Sequence, residues 1–232
     1  MFRRYQLRTT DTGAARAFYT SVIDVERRTS LQIVGLPEQA ASRGAPAHWL
    51  GQASVHDVSA GVLQMIGAGG EPLGPVRAEI DGGKVAVVRD PLGAVVGMCE
   101  DLTGPAPPPP GEVVWHQLNT TDRVAVWPTY ADLFGWKGGE TLDLGPELGT
   151  YQTFAWTTGG PAVGGLVDSA RTPGIHPHWL FFFGVDDLAA AAASVTANGG
   201  RVVFGPLPGP GGFAIAVCED PQRAAFALGQ RA

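Results

Sequence analysis

Apolar and polar residues alternate along Tyr5-Gln6-Leu7-Arg8-Thr9, the period-two pattern of a half-buried strand. Thr10 or Asp11 then supplies an N-cap, and Ala14 through Ile23 predicts a short helix. The succession returns at Trp115 to Asn119, Thr121-Asp122 and a helix through Tyr130 and Leu133-Phe134 that Gly135 closes. Asp11 to Asp122 and Tyr19 to Tyr130 are both offsets of 111. A second set of positions repeats at 130. His48-Trp49-Leu50 returns as His178-Trp179-Leu180, and Asp57, Gly69-Gly70, Ala86-Val87 and Asp90-Pro91 return as Asp187, Gly199-Gly200, Ala216-Val217 and Asp220-Pro221. The chain is a duplication.

The two offsets differ by 19 residues, which places the extra length of the second copy between its first helix and its HWL. The first copy has one strand there, Ser30 to Val34, and a Pro/Gly/Ala-rich loop. The second has Thr141 to Leu144, Tyr151 to Thr157 and Gly164 to Val167, read as two or three strands joined by glycine-containing turns. After HWL the copies agree again. Strands Leu50 to Val55 and Leu180 to Val185 lead to helices capped by Asp57 and Asp187, which the paired glycines stop. Lys84 to Val88 and Phe213 to Val217 follow as strands, and Ala94 to Met98 and Ala224 to Leu228 come last. Residues 1–103 thus form a shortened module, 112–232 a fuller one, and the proline run at 104–111 a stiff linker.

A length of 232 residues suffices for two cores. The net charge of −6 and the absence of any basic run longer than two residues argue against a nucleic-acid partner. No apolar stretch approaches a membrane span, and the first residues lack the apolar core of a secretory signal, so a cytoplasmic protein is expected. Cys99 and Cys218 occupy unrelated repeat positions without metal-type spacing, which suits two buried thiols. No nucleophile elbow, phosphate loop or dinucleotide fingerprint occurs.

With TTD…AFYTSVIDV and TTD…YADLFGW after the first strands, HWLGQASVHDV and HWLFFFGVDDL later, and GG and DP after each, the chain resembles the vicinal oxygen chelate superfamily of glyoxalases, bleomycin-resistance proteins and extradiol dioxygenases. The resemblance covers nearly the whole chain. It implies an α+β fold of tandem modules built from βαβββ units, with curved mixed sheets forming cups and helices outside. It also implies a small-molecule ligand. In metal-using members three ligands, a first-strand His, a later His or Glu and a final-strand Glu, hold a divalent ion that polarises substrate oxygens.

Counted from the repeated aspartates, those ligand positions fall on Arg4, Leu50 and Gly97 in module one and on Trp115, Leu180 and Ala227 in module two. None is a usual ligand, so no metal or other cofactor is expected. Strand alternation puts Tyr5, Leu7, His116 and Leu118 toward the helices, with Trp49 and Trp179 as core. The opposite, cup-facing side carries Arg4, Gln6, Arg8 and His48 in module one, and Trp115, Gln117, Asn119, His178, Leu180 and Phe182 in module two. Aromatic faces there could stack on a flat ligand, the arginines could hold an anion, and His178 is the one candidate acid/base. Under this reading the chain binds a small aromatic or partly apolar molecule, either to sequester it in resistance or to act on it in detoxification or secondary metabolism. The alternatives are a lyase or dioxygenase holding Zn, Fe, Mn or Ni on relocated ligands His116, His176 and His178, and a non-catalytic protein with filled cups. A monomer with internally paired modules and a homodimer both fit.

Overall fold

The computed structural model describes residues 1–79, 82–100, 111–145 and 149–232. The proposed linker, apart from Gly111, lies outside them. The first copy contains β1 (Phe2–Thr9), α1 (Thr12–Ile23), β2 (Leu31–Gly35), α2 (Glu38–Ser42), β3 (His48–Val55), α3 (Val58–Gly67), β4 (Glu71–Pro72), β5 (Arg77–Ala78), β6 (Lys84–Arg89) and β7 (Val95–Glu100). The second contains β8 (Val113–Asn119), α4 (Arg123–Phe134), β9 (Lys137–Asp143), β10 (Thr150–Ala155), β11 (Gly164–Val167), β12 (His178–Gly184), α5 (Leu188–Ala197), β13 (Arg201–Pro208), β14 (Phe213–Glu219) and β15 (Ala225–Arg231). The class is α+β, with curled mixed sheets assembled from βαβββ units.

Local chemistry explains where the helices begin and end. Asp11, Asp57, Asp122 and Asp187 each accept backbone N–H groups of the first turn, at 2.7–3.1 Å, from α1, α3, α4 and α5. Gly135 closes α4 in the left-handed region at φ 70°. β1 pairs in parallel with β2 (Gln6 with Gln32) as β8 does with β11 (Gln117 with Gly165). β2 is therefore the counterpart of β11, and what module one lacks is the β9–β10 hairpin.

β13 and the two-residue β4 and β5 are not among the strands expected from the sequence. β13, which carries Gly205, Pro206 and Pro208, pairs antiparallel with β14 through two register shifts. Proline is tolerated there because β13 is an edge strand, where one row of N–H groups has no ladder to join.

The chain divides into two compact units that do not coincide with the repeats. One comprises residues 1–3, 51–107 and 116–179; the other comprises 4–50, 108–115 and 180–232. In the first, α3 packs on α4, and β3-β7-β6 and β8-β11-β10-β9 are the hydrogen-bonded strand runs. Its core is a cluster of rings that includes Phe2, Tyr130, Trp136, Phe154, Trp156 and Trp179. In the second, α1 packs on α5, and Phe18, Tyr19, Trp49, Phe183 and Phe226 form the ring cluster.

Each unit is locked by the same buried network. In the first, Trp179 Nε1 donates to Tyr130 Oη (3.0 Å), which donates to Asp90 Oδ2 (2.9 Å). In the second, Trp49 Nε1 donates to Tyr19 Oη (2.9 Å), which donates to Asp220 Oδ2 (3.2 Å). Tryptophan and tyrosine come from one repeat and the aspartate from the other. Burial, followed by the neighbouring aspartate, drives both phenols well above their usual pKa. Burial also raises both carboxyls, although each accepts backbone N–H bonds at its own turn.

Candidate ligand site

The polar cluster of the first unit stands where β8 ends and β12 begins. Asn119 is the last residue of β8, His178 the first of β12, and Ser169 lies in the turn after β11. Gln117 lies opposite Gly165 of β11. A Cβ on Gly165 would fall 2.0 Å from Tyr151 Cε1, so the Tyr151 ring lies across that glycine. His178 and Gln117 are half-buried and Asn119 is buried.

The hydrogen bonds assign every polar role in this cluster. Ser169 Oγ (2.7 Å) and Gln117 Nε2 (2.9 Å) both donate to Asn119 Oδ1, so the Asn119 amide nitrogen must face His178. Asn119 Nδ2 lies 3.2 Å from His178 Nε2. His178 Nδ1 lies 2.8 Å from the His176 carbonyl oxygen, which can only accept. The proton therefore sits on Nδ1, and Nε2 presents a lone pair. Burial lowers the His178 pKa, with the His176 ring adding a smaller push in the same direction, so the neutral form dominates at pH 7. The cluster offers an acceptor and amide donors side by side.

His116 does not join it. It is buried, stacked on Phe2 with ring centroids 5.1 Å apart, and set edge-on to Trp156. Its Nδ1 donates to the Val163 carbonyl at 2.8 Å. His176 is exposed, its ring centroid 5.6 Å from that of His178.

The remaining sequence candidates belong to the second unit. Trp115, Leu180 and Phe182 are 2%, 2% and 1% exposed, so they build the interior rather than present open faces. A Cβ on Gly211 would meet the Trp115 ring at 2.5 Å, which shows how closely that ring is covered. Arg4, Gln6 and Arg8 share one half-buried face of β1, where Gln6 Nε2 donates to Gln32 Oε1 at 3.0 Å. His48 repeats the His178 arrangement, its Nδ1 donating to the Pro46 carbonyl at 2.8 Å. Its pKa is lowered by burial first and then by the charge of Arg8, which occupies the repeat position of Asn119. Ser169 and Tyr151 escaped the sequence reading. Tyr151 lies in the hairpin that module one lacks, and no serine follows β2 at the place of Ser169.

The sequence model of the Glyoxalase/Bleomycin resistance protein/Dioxygenase superfamily matches residues 113–228, half of the chain. The chain belongs to that superfamily. Among curated proteins it is similar to CFP32 of Mycobacterium tuberculosis (strain CDC 1551 / Oshkosh), which carries a glyoxylase name. Identity there is 28%, over 96% of this chain and 91% of that protein. It is also similar to the anthracycline biosynthesis protein DnrV of Streptomyces peucetius, 31% identical over 51% of this chain and 46% of that one. Among solved structures, the Mn(II)-bound glyoxalase of Novosphingobium aromaticivorans superposes with a TM-score of 0.65 at 14% identity, covering 99% of this chain and 81% of that one. The 2,3-dioxygenase LapB of Pseudomonas sp. KL28 superposes with a TM-score of 0.64 at 14% identity, covering 99% and 91%. These likenesses show the superfamily fold.

The residues present do not fit a superfamily-type metal. Ala227 is fully buried and lies opposite Phe182 in the β12–β15 register, and Gly97 lies opposite Gln52. Among the described residues no three His, Cys, Asp or Glu side chains converge on a common point. Of the relocated candidates, His116 Nδ1 and both ring nitrogens of His178 already have partners.

Proposed function

We propose that this superfamily member binds a small aromatic or partly apolar molecule beside Gln117, Asn119 and His178, without a metal, and acts on it only where a ligand proton reaches His178. The observation that carries this reading is the set of six superfamily ligand positions held by Arg4, Leu50, Gly97, Trp115, Leu180 and Ala227. His178, neutral and with its unprotonated Nε2 held only by the Asn119 amide, can accept a hydrogen bond or a proton from a ligand hydroxyl that displaces that amide. The relative named for anthracycline biosynthesis supports an aromatic ligand. The reading takes the chain as cytoplasmic with internally paired modules, as a monomer or a homodimer. Two free, buried cysteines support the compartment, and units that draw on both repeats support the pairing.

Two measurements test it. Elemental analysis of protein purified without chelator or metal-affinity tag is expected to give far less than one Zn, Fe, Mn or Ni per chain. Near-stoichiometric metal would sink the metal-free reading. A thermal-shift screen of bicyclic and tricyclic aromatics is expected to raise Tm with dose. A flat response across the screen would favour a non-catalytic protein with filled cups.

A further inference from the structure

We propose that the Gln117–Asn119–His178 cluster selects ligands bearing a hydroxyl donor next to a carbonyl acceptor, as in an enolised 1,3-dicarbonyl or a ring ketone flanked by a phenol. This deepens the ligand-binding reading above and rests on it. The argument starts from the fixed polarity of the cluster. Asn119 Oδ1 already holds two donors, so its amide cannot turn over without losing both. The Nδ1 proton of His178 is tied to a backbone carbonyl, so Nε2 remains an acceptor. An acceptor and an amide donor therefore stand 3.2 Å apart, in an order set by Gln117, Ser169 and the His176 carbonyl.

A hydroxyl beside a carbonyl presents the complementary pair, with its two oxygens about 2.6 Å apart when hydrogen-bonded to each other. Such a ligand can part Asn119 from His178, giving its O–H to Nε2 and taking an Asn119 N–H on its carbonyl. The Asn119–His178 bond and the ligand's internal bond are exchanged for two new bonds, so no polar atom is left bare. A ligand with the carbonyl alone would leave Nε2 unpaired. A carboxylate would set negative charge against a lone pair. Each mismatch strands a buried polar group, which corresponds to roughly tenfold to hundredfold in affinity. Module one differs at this point. With Arg8 at the repeat position of Asn119, His48 faces a cation instead of an amide dipole, so the preference belongs to module two.

The test compares chromone, 5-hydroxychromone and 7-hydroxychromone on the intact chain, by isothermal titration. The two hydroxychromones are isomers, and only the first places its hydroxyl beside the ring carbonyl. The expected result is a Kd for 5-hydroxychromone at least about tenfold below both others, and loss of that margin in His178→Gln and in Asn119→Leu. Equal affinity for all three would overturn the selectivity and leave aromatic binding standing. No binding by any of the three, with hits elsewhere in the aromatic screen, would overturn the selectivity too. Silence across the whole screen would remove both readings. Should either variant fail to fold, the isomer comparison on the native chain still decides the matter.

Discussion

His116 shows how a residue that looks like chemistry in a sequence can be structural. Burial is the main reason its pKa falls to about 4, and the positive charge of the Met1 amino group adds to it. An unfolded imidazole titrates near 6.5, so the folded state prefers the neutral ring. The sign follows. The stabilisation is fully present above about pH 6.5 and is lost as pH falls toward the folded value, a loss of about 3 kcal/mol when the ring is fully charged. The buried carboxyls Asp90 and Asp220 have raised pKa values, so they work in the opposite sense. Comparison with a chain that lacks only the imidazole isolates its part between pH 6.5 and 5. Urea unfolding of the native chain is expected to weaken across that range, with a shallower slope in His116→Gln. Equal slopes would show that another group carries the titration.

At the scale of elements, the two turns that carry Asp-Pro are not equivalent, and the difference has an energetic signature. Thr9 Oγ1 and Thr10 Oγ1 both donate to Gln222 Oε1, and Gln222 Nε2 donates to the Asp11 carbonyl. This ties the end of β1 and the start of α1 to the β14–β15 turn. The repeat counterpart of Gln222 is Leu92, and the counterpart of Thr9 is Thr120, whose buried hydroxyl has no partner. Gln222→Ala should cost about 1–3 kcal/mol by stranding Thr9, and Leu92→Gln should add about 1 kcal/mol by satisfying Thr120. Denaturant midpoints at constant m-value read both. A neutral Leu92→Gln would mean that residue 92 does not reach Thr120. Elements of this kind were largely legible beforehand. Alternation, Asp caps and terminal glycines placed four helices and most strands, because each signal is local. β13 escaped because its prolines are excused only by an edge position, which no local pattern reveals. The candidate site was legible in part. Asn119, Gln117 and His178 followed from strand parity, whereas Ser169 and Tyr151 meet the site only through tertiary pairing.

At the scale of the whole molecule, the repeats and the compact units are different divisions of the chain. Trp179 and Tyr130 are completed by Asp90, and Trp49 and Tyr19 by Asp220. A fragment ending at residue 100 keeps Tyr19 and Trp49 but loses Asp220, and one starting at residue 112 keeps Tyr130 and Trp179 but loses Asp90. Each fragment alone is expected to lack a cooperative monomeric transition, or to fold only by pairing with a second copy of itself. Mixing the two should restore a sharp transition. Sedimentation together with near-ultraviolet dichroism checks this, and a monomeric, cooperatively folded single fragment would contradict it.

The crossed aspartates also bear on how such a gene can change. A stretch of prolines between two repeats is ordinarily a tolerant place for recombination, since few contacts cross a domain boundary. Here a crossover at that point would part Tyr19 and Trp49 from Asp220, and Tyr130 and Trp179 from Asp90, at once. Tyr19 answers to a residue 201 positions downstream and Tyr130 to one 40 positions upstream. The two halves are therefore expected to be inherited as a pair, because a substitution at Asp90 bears on Tyr130 and one at Asp220 bears on Tyr19.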